Sequence, residues 1–453
     1  MRIWIAMRVP RSVRLFFLVI IELARKYTRS LILGFFAGLL LSVLFWRTYP
    51  LIARTLFSTT ERIGMVGEFS PSTLPPTIQA LISRGITDLA PDGSAIPSLA
   101  ASWEATNSGK TFIFTLKKDM TWHNGKTVSA HDVNYNIRGV TLVPTGERTL
   151  IAYLQYPYSP FPTLLSKPVF LPGLNGIGPY TVGSIKLSGG SVKSVSLYPT
   201  SQKTRVSKQF SLYQTEAQAQ LAFQLGEVDQ LIEMSTISGL ATWGNVAITD
   251  QTKYDRIVTL FFNMRNQELT DKNVRQGLAY GIPDLHFEKA GSPISKTSWA
   301  NTKNVKNYSF NISEAKRLLK NTHLATESAQ LTLSTFPAYL DIAQKIAASW
   351  TELGIITNVQ VQSTVPSDYQ VLLSAQDVPP DPDQYPFWHS TQTSTNVTGY
   401  ANVKIDKLLE DGRQELDQEK RKLIYTDFQR RLVEDAPAIF LYYPKLYTVT
   451  RGR

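Results

Sequence analysis

Between Leu331 and Gln362 the chain reads Leu331-Thr-Leu-Ser-Thr-Phe336, then Pro337-Ala-Tyr-Leu-Asp-Ile-Ala-Gln-Lys-Ile-Ala-Ala-Ser-Trp-Thr-Glu-Leu-Gly354, then Ile355-Ile-Thr-Asn-Val-Gln-Val-Gln362. The first run is short, apolar and rich in β formers, and Asn358–Gln362 alternates as a half-buried strand does. The middle run, from about Leu340 to Leu353, carries apolar residues at helical spacing and stops at Gly354, the residue that tolerates the left-handed conformation closing a helix. A strand, a helix and a strand in this order predict an α/β layer.

The same texture extends outward in both directions. Val258–Asn263 predicts a strand, and Asp271 caps a helix that places Val274, Leu278 and Ile282 on one face. Glu216–Leu225 predicts a helix closed by Gly226, and Ser313 a cap for Glu314–Lys320. Asp406–Leu416 and Gln418–Glu434 predict two further helices, and Ala438–Tyr443 a last strand. Upstream, from Ile63 to Ser211, strands and turns dominate. Thr111–Lys117 is a run of β formers, Asn124-Gly125 a turn, and Pro157–Gly190 a set of loops joining short strands. A β-rich part followed by α/β texture predicts a two-lobed α/β protein.

Composition removes several function classes. The 453 residues hold no cysteine, which excludes thiolate metal sites, cysteine nucleophiles and iron–sulfur clusters. The net charge of +11 suggests a nucleic-acid partner until it is located. Residues 1–50 carry eight basic residues against the single acid Glu22, leaving 39 basic and 35 acidic groups in the other 403. So nearly balanced a body has no electrostatic hold on a phosphate backbone, and no nucleic-acid partner is expected.

The basic N-terminus reads as membrane topology. Ser30–Trp46 has no charged residue, close to the shortest apolar run that spans a bilayer as a helix, and basic residues cluster before it. We expect a basic cytoplasmic segment (1–30), an uncleaved transmembrane anchor (31–47), a stalk (48–60) and an extracytoplasmic body. That makes the protein a single-pass protein of the cell membrane. A signal-peptidase cut after Leu51-Ile52-Ala53 is disfavoured by the bulky Leu51.

Enzyme motifs fail on spacing. Gly109-Lys-Thr111 and Gly125-Lys-Thr127 lack the upstream glycine of a phosphate loop; Glu104 and Met120 stand there instead. No Gly-x-Ser-x-Gly or His-Glu-x-x-His is present, and none of the five histidines pair at metal-binding helical spacing. Neither cofactor nor metal nor catalytic residue is expected.

Several stretches, in one order, resemble the bacterial extracellular solute-binding proteins of family 5, the peptide- and nickel-binding group serving ABC importers. They are Pro97–Glu104, Gly109–Lys117, Met120-Thr-Trp-His-Asn-Gly-Lys-Thr-Val-Ser-Ala-His-Asp132-Val133, Gly176–Tyr180, Phe223–Asp229, Leu260–Asn263, Asp271–Tyr280, Asp381–Tyr385, Gly399–Leu409 and Asp435–Leu441. The resemblance implies a periplasmic-binding-protein-like fold of type II. Lobe I would span 61–255 and lobe II 256–440, with 441–453 returning towards lobe I. The short interval from Val133 to Gly176 implies a trimmed accessory β subdomain. It further implies a monomer that holds a peptide or other small solute between its lobes and delivers it to ABC permease subunits. A ligand sensor using the same lobes without transport fits the residues equally.

By the same resemblance, an aspartate near Asp377-Val-Pro-Pro-Asp381-Pro-Asp383 pairs with a ligand's α-ammonium group, and the spacing leaves Asp377, Asp381 and Asp383 all open. Tyr385 is an expected ligand contact of the same loop, and Trp388 and Tyr400 are expected pocket walls. Asn263, closing a strand that enters the second lobe, is the expected hinge.

Overall fold

The computed structural model describes residues 59–452, except 202–205, 238 and 326–328, together with scattered positions between 15 and 47. It divides into two units: Met1–Thr60 with Gln202–Ser207, and Glu61–Ser201 with Lys208–Arg453. In the first unit the described positions between 15 and 47 are helical apart from Tyr27, and much of the expected anchor lies outside the described residues. No helix among the described residues is long and apolar enough to cross a membrane.

The second unit is built on three sheets of four or more strands. Seven strands form the first, in the order Val246–Thr252, Lys445–Arg451, Gln230–Met234, Thr59–Val66, Val206–Tyr213, Ser191–Pro199, Tyr180–Ser188. The segment that returns at the C-terminal end therefore becomes an interior strand of this sheet. A four-stranded antiparallel sheet, in the spatial order Ala100–Thr106, Thr111–Leu116, Thr149–Leu154, Val140–Pro144, forms a small β layer of its own, here called the accessory subdomain. Its alternating inward residues, Phe112, Phe114, Leu116, Leu150 and Ala152, are all buried, as a sheet with one covered face requires.

The second lobe has five strands in the order Ile356–Val361, Gln330–Thr335, Val371–Asp377, Arg256–Phe262, Ala438–Tyr442. Gln330–Thr335 runs parallel to both of its neighbours. Helices cover both faces. Leu278, Ile346 and Trp350 pack on one side, while Tyr425, Phe428 and Leu432 pack on the other, so Ile257 to Phe262 is buried along its whole length. This explains why that strand reads as a continuous apolar run rather than an alternation.

Local chemistry sets the helix ends. Asp271 accepts from the Asn273 amide and caps Lys272–Tyr280, and Gly354, at φ +86°, follows Leu340–Thr351 as expected. One cap differs from expectation: Asn311, not Ser313, caps Ile312–Leu319 through the Glu314 amide. The Pro157–Gly190 interval also holds more structure than expected, a turn of helix at Phe161–Leu164 and the nine-residue strand Tyr180–Ser188.

The Trp122–Val133 hairpin is a clip. Asp132 accepts from the Trp122 indole at 2.9 Å, the Ser129 amide at 3.0 Å and Lys126 Nζ at 2.5 Å, and the Ser129 hydroxyl accepts in turn from the His131 amide. The residues that make this stretch distinctive are used to fold it.

Candidate functional site

The chain passes from the seven-stranded to the five-stranded sheet between Thr252 and Arg256 and returns between Tyr442 and Lys445. The two crossings lie side by side, with Lys253 N donating to Pro444 O at 2.9 Å. Strand register locates the functional end of each lobe relative to them. In the first, Met234 pairs with Tyr447 and Thr252 with Lys445, which puts the C-terminal end of Gln230–Met234 at the crossing. Its parallel partner Thr59–Val66 ends there too, leading into Gly67-Glu68-Phe69. In the second, Asp377 pairs with Arg256, so Val371–Asp377 also ends at the crossing, and Val378 N donates to Asp255 O at 2.8 Å. The C-terminal ends of parallel strands from both lobes converge beside the two crossings, and open α/β sheets hold ligands outside such strand ends.

Asp377 stands on that rim. Its side chain is 77% exposed, and one carboxylate oxygen, Oδ1, accepts from Arg256 Nε at 2.7 Å; no hydrogen bond among the described residues reaches Oδ2. Tyr339, in the turn after Gln330–Thr335, completes the group. Burial raises its pKa, and the charges of Arg256 and Asp377 act on it in opposite senses.

The other two aspartates have different fates. Asp381 is buried and accepts a two-pronged contact from Arg421, at 2.8 and 3.1 Å. Burial raises the pKa of its carboxyl and Arg421 opposes the shift. Arg421 Nε is spent on Gly412 O at 2.9 Å. Asp383, also buried, accepts from Arg413 Nε at 3.0 Å to each oxygen and from the Tyr158 hydroxyl at 3.1 Å. Tyr158 comes from lobe I, so this group joins the lobes. Beside it Ser159 N donates to Arg413 O at 2.7 Å.

Tyr385 lies between the His389 ring, 4.0 Å away, and the Arg413 guanidinium, 3.8 Å from its centroid. Trp388 is 1% exposed, edge-on to Phe440 at 5.9 Å, which makes it a core side chain of lobe II. Tyr400 is equally enclosed, its hydroxyl donating to Asp435 at 2.7 Å; burial raises its pKa and Asp435 adds to the shift. Asn263 is buried at the end of its strand away from the crossing, where Nδ2 donates to Tyr369 O at 2.7 Å and Oδ1 accepts from the Arg265 amide at 3.1 Å. It sets a loop there, and the crossing segments lie elsewhere. Two buried groups in this loop have no partner among the described residues: both polar atoms of the Gln384 amide and the Trp388 indole N–H.

Sequence reasoning overlooked Arg256, Tyr339 and Tyr158. Arg256 left one signal, a lone charge at the head of a strand otherwise built of Ile, Val, Thr, Leu and Phe. Tyr158 left none, because its partner is 225 residues away. No group of three metal-binding side chains occurs among the described residues.

Comparison with known proteins agrees with this architecture. The model of the bacterial extracellular solute-binding proteins, family 5 Middle, matches residues 94–153 and 145–397. The dipeptide-binding protein DppE of Bacillus subtilis is 22% identical, with 80% of this chain and 81% of that protein aligned. The probable D,D-dipeptide-binding periplasmic protein DdpA of Escherichia coli is 21% identical, over 81% and 83%. Among solved structures, the ABC transporter substrate-binding protein CtaP of Listeria monocytogenes superposes with a TM-score of 0.73 at 20% identity, covering 87% of this chain and 94% of that one. NikZ of Campylobacter jejuni, in complex with Ni(L-His), gives 0.70 at 22%, over 86% and 94%. These likenesses carry the fold.

Proposed function

From a chain that belongs to family 5 of the bacterial extracellular solute-binding proteins, we propose a binding protein that takes peptides between its two lobes and hands them to the permease of an ABC importer. Relatives named for dipeptides and for D,D-dipeptides support the ligand class. The observation that carries the reading is Asp377. Of the three aspartates in its loop it alone presents an exposed carboxylate, and it does so where the strand ends of both lobes converge. An α-ammonium group placed there takes the open Oδ2 and shares Oδ1 with Arg256. Closure of the lobes then removes the pair from water and strengthens it. Hinge motion falls on the two adjacent crossings, Lys253–Asp255 and Tyr443–Pro444, since a ligand touching both lobes favours their closed arrangement.

Asp377→Asn keeps the shape and removes the charge. The expected loss is about 2 kcal/mol of binding, or roughly 30-fold in affinity. Calorimetry with a panel of free and N-acetylated dipeptides measures it. Acetylated peptides binding as tightly as free ones would refute the role of Asp377.

The membrane anchor belongs to the same proposal. Leu33, Phe36, Leu40, Leu41 and Phe45 are each more than half exposed, an apolar surface that water does not favour and a bilayer does. The protein should fractionate with membranes and retain peptides from the Met1 side in mass spectrometry. Recovery of a mature chain beginning near residue 50 would remove the anchor.

A further inference from the structure

A cavity of about 620 Å³ opens where the accessory subdomain meets lobe II, apart from the Asp377 rim. One wall comes from the subdomain, with Ile137, Tyr156, Tyr158 and Phe161, and the other from lobe II, with Tyr385 and the Val403–Gln414 helix. Its volume lies within the usual range for small-molecule sites, and its walls combine apolar and aromatic surface with a few charges, as such sites do.

The charges decide what fits. Arg413 is neutralised by Asp383 and held between the Tyr385 and Tyr158 rings, so it offers surface rather than net charge. Two other lining groups have no ion pair to a lysine, an arginine or a carboxylate among the described residues. Glu410, with a side chain 47% exposed, meets the His389 imidazole at 3.4 Å and lies in the field of Lys407, but no lysine or arginine among the described residues lies within ion-pair distance of it. Exposed Arg138 has no carboxylate within that distance among the described residues. Tyr156, 70% exposed, adds an open aromatic face without a ring partner among the described residues.

We infer that this cavity is a second ligand site, selective for a small zwitterion bearing an aromatic side chain, with its ammonium group at Glu410 and its carboxylate at Arg138. The aromatic ring lies against Tyr156 and Phe161, where offset or edge contacts add to the area buried. Both lobes supply the walls, so the occupant binds the closed arrangement better than an opened one and holds the lobes together. A free amino acid and a short peptide share this chemistry, and the cavity volume admits either.

The test is calorimetry on the full chain, solubilised in detergent, with L-phenylalanine and Phe-Ala as the two sources of the zwitterion. Phenylacetate, which lacks the ammonium, and phenethylamine, which lacks the carboxylate, serve as single-charge probes. Binding of either zwitterion at least about tenfold tighter than both probes is expected, because each probe can form only one of the two partly enclosed ion pairs. Glu410→Gln should abolish the advantage over phenylacetate, and Arg138→Gln the advantage over phenethylamine. Both substituted residues are on the surface, so folding is preserved, and Tyr156→Ala gives an independent arm that should weaken all four ligands. If neither zwitterion binds, or if Glu410→Gln and Arg138→Gln leave binding as it was, the second site does not exist. Such a failure is distinct from a failure of the Asp377 reading, which Asp377→Asn and acetylated dipeptides test separately.

Discussion

Two short stretches of this chain have almost the same ingredients and opposite uses. The hairpin Trp122–Val133 and the loop Asp377–Tyr400 each combine aspartate, tryptophan, histidine, asparagine and glycine. In the hairpin the central carboxylate is answered within ten residues: Asp132 takes the Trp122 indole, Lys126 and the Ser129 amide. In the loop Asp381 and Asp383 accept the amides two residues on, but the charged answers come from far away. Arg256, Arg413 and Arg421 reach Asp377, Asp383 and Asp381, and the Gln384 amide and Trp388 indole are answered by nothing among the described residues. A distinctive motif can thus be distinctive because it folds itself, and a plain acidic loop can hold the chemistry.

The sharpest way to break this comparison is to remove a distant answer. Arg421→Met leaves Asp381 buried without its partner, and we expect a loss of about 3–5 kcal/mol in unfolding free energy, seen as a large fall in Tm. The pH dependence identifies the cause. Burial already raises the folded-state pKa of Asp381, and without Arg421 the rise is greater. A group whose folded pKa exceeds its unfolded value contributes stability that is complete below the unfolded pKa and lost as pH rises through the folded one. The Arg421→Met deficit should therefore shrink as pH is lowered from about 7 towards about 4. A deficit independent of pH would mean that lost packing against Trp299 and Tyr425, not an orphaned carboxylate, accounts for it.

Removing a local answer should cost less. Asp132→Ala strands the buried Trp122 N–H and opens the capping box, together about 2–3 kcal/mol. Here the pKa shift has the opposite sign, so the deficit persists to lower pH. Burial works to raise the Asp132 pKa, but Lys126, Trp122 and Ser129 outweigh it and bring the pKa below the usual carboxylate value. A lowered folded pKa gives stability that is present above the unfolded pKa and lost as pH falls through the folded one. The wild-type advantage over Asp132→Ala should accordingly vanish in acid, below about pH 4. Chemical denaturation across this range measures both variants. Both deficits shrink on acidification, Arg421→Met between about pH 7 and about pH 4 and Asp132→Ala only below about pH 4. If the two fell over the same pH window, the contrast between hairpin and loop would be lost.

How far the sequence reached follows from the same contrast. The lobe II sheet was legible because its signals are local: an apolar strand run, Asp271 as a cap and Gly354 as a stop lie within a few residues of what they control. Asn311 was missed because Asn311 and Ser313 are both good caps two residues apart, and only the geometry chooses. The candidate site was half legible. Its loop stood out by composition, yet the choice among Asp377, Asp381 and Asp383 depends on which arginine arrives, and Asp381 and Arg421 are separated by 40 residues. Burial misled in the same way: Trp388 and Tyr400 read as pocket walls because aromatic rings suit a pocket and a core alike.

The smallest expected effect concerns the unanswered amide. Gln384 is 1% exposed, and neither Nε2 nor Oε1 has a partner among the described residues. A buried amide left without hydrogen bonds costs free energy that an apolar side chain of similar length does not. Gln384→Met is close to it in size and flexibility, so packing changes little. We therefore expect the unliganded protein to gain about 1 kcal/mol, an increase in Tm that is opposite in sign to the two losses above. If water or a ligand answers the amide in solution, the substitution lowers stability instead. If the ligand is the partner, the fall should be larger when a peptide is present; if water is, the fall should be the same in both conditions. Differential scanning calorimetry with and without a bound dipeptide separates the outcomes. A rise in Tm in both conditions would make Gln384 a residue whose polar atoms are used neither by the fold nor by the ligand, and would confine recognition in this loop to Asp377.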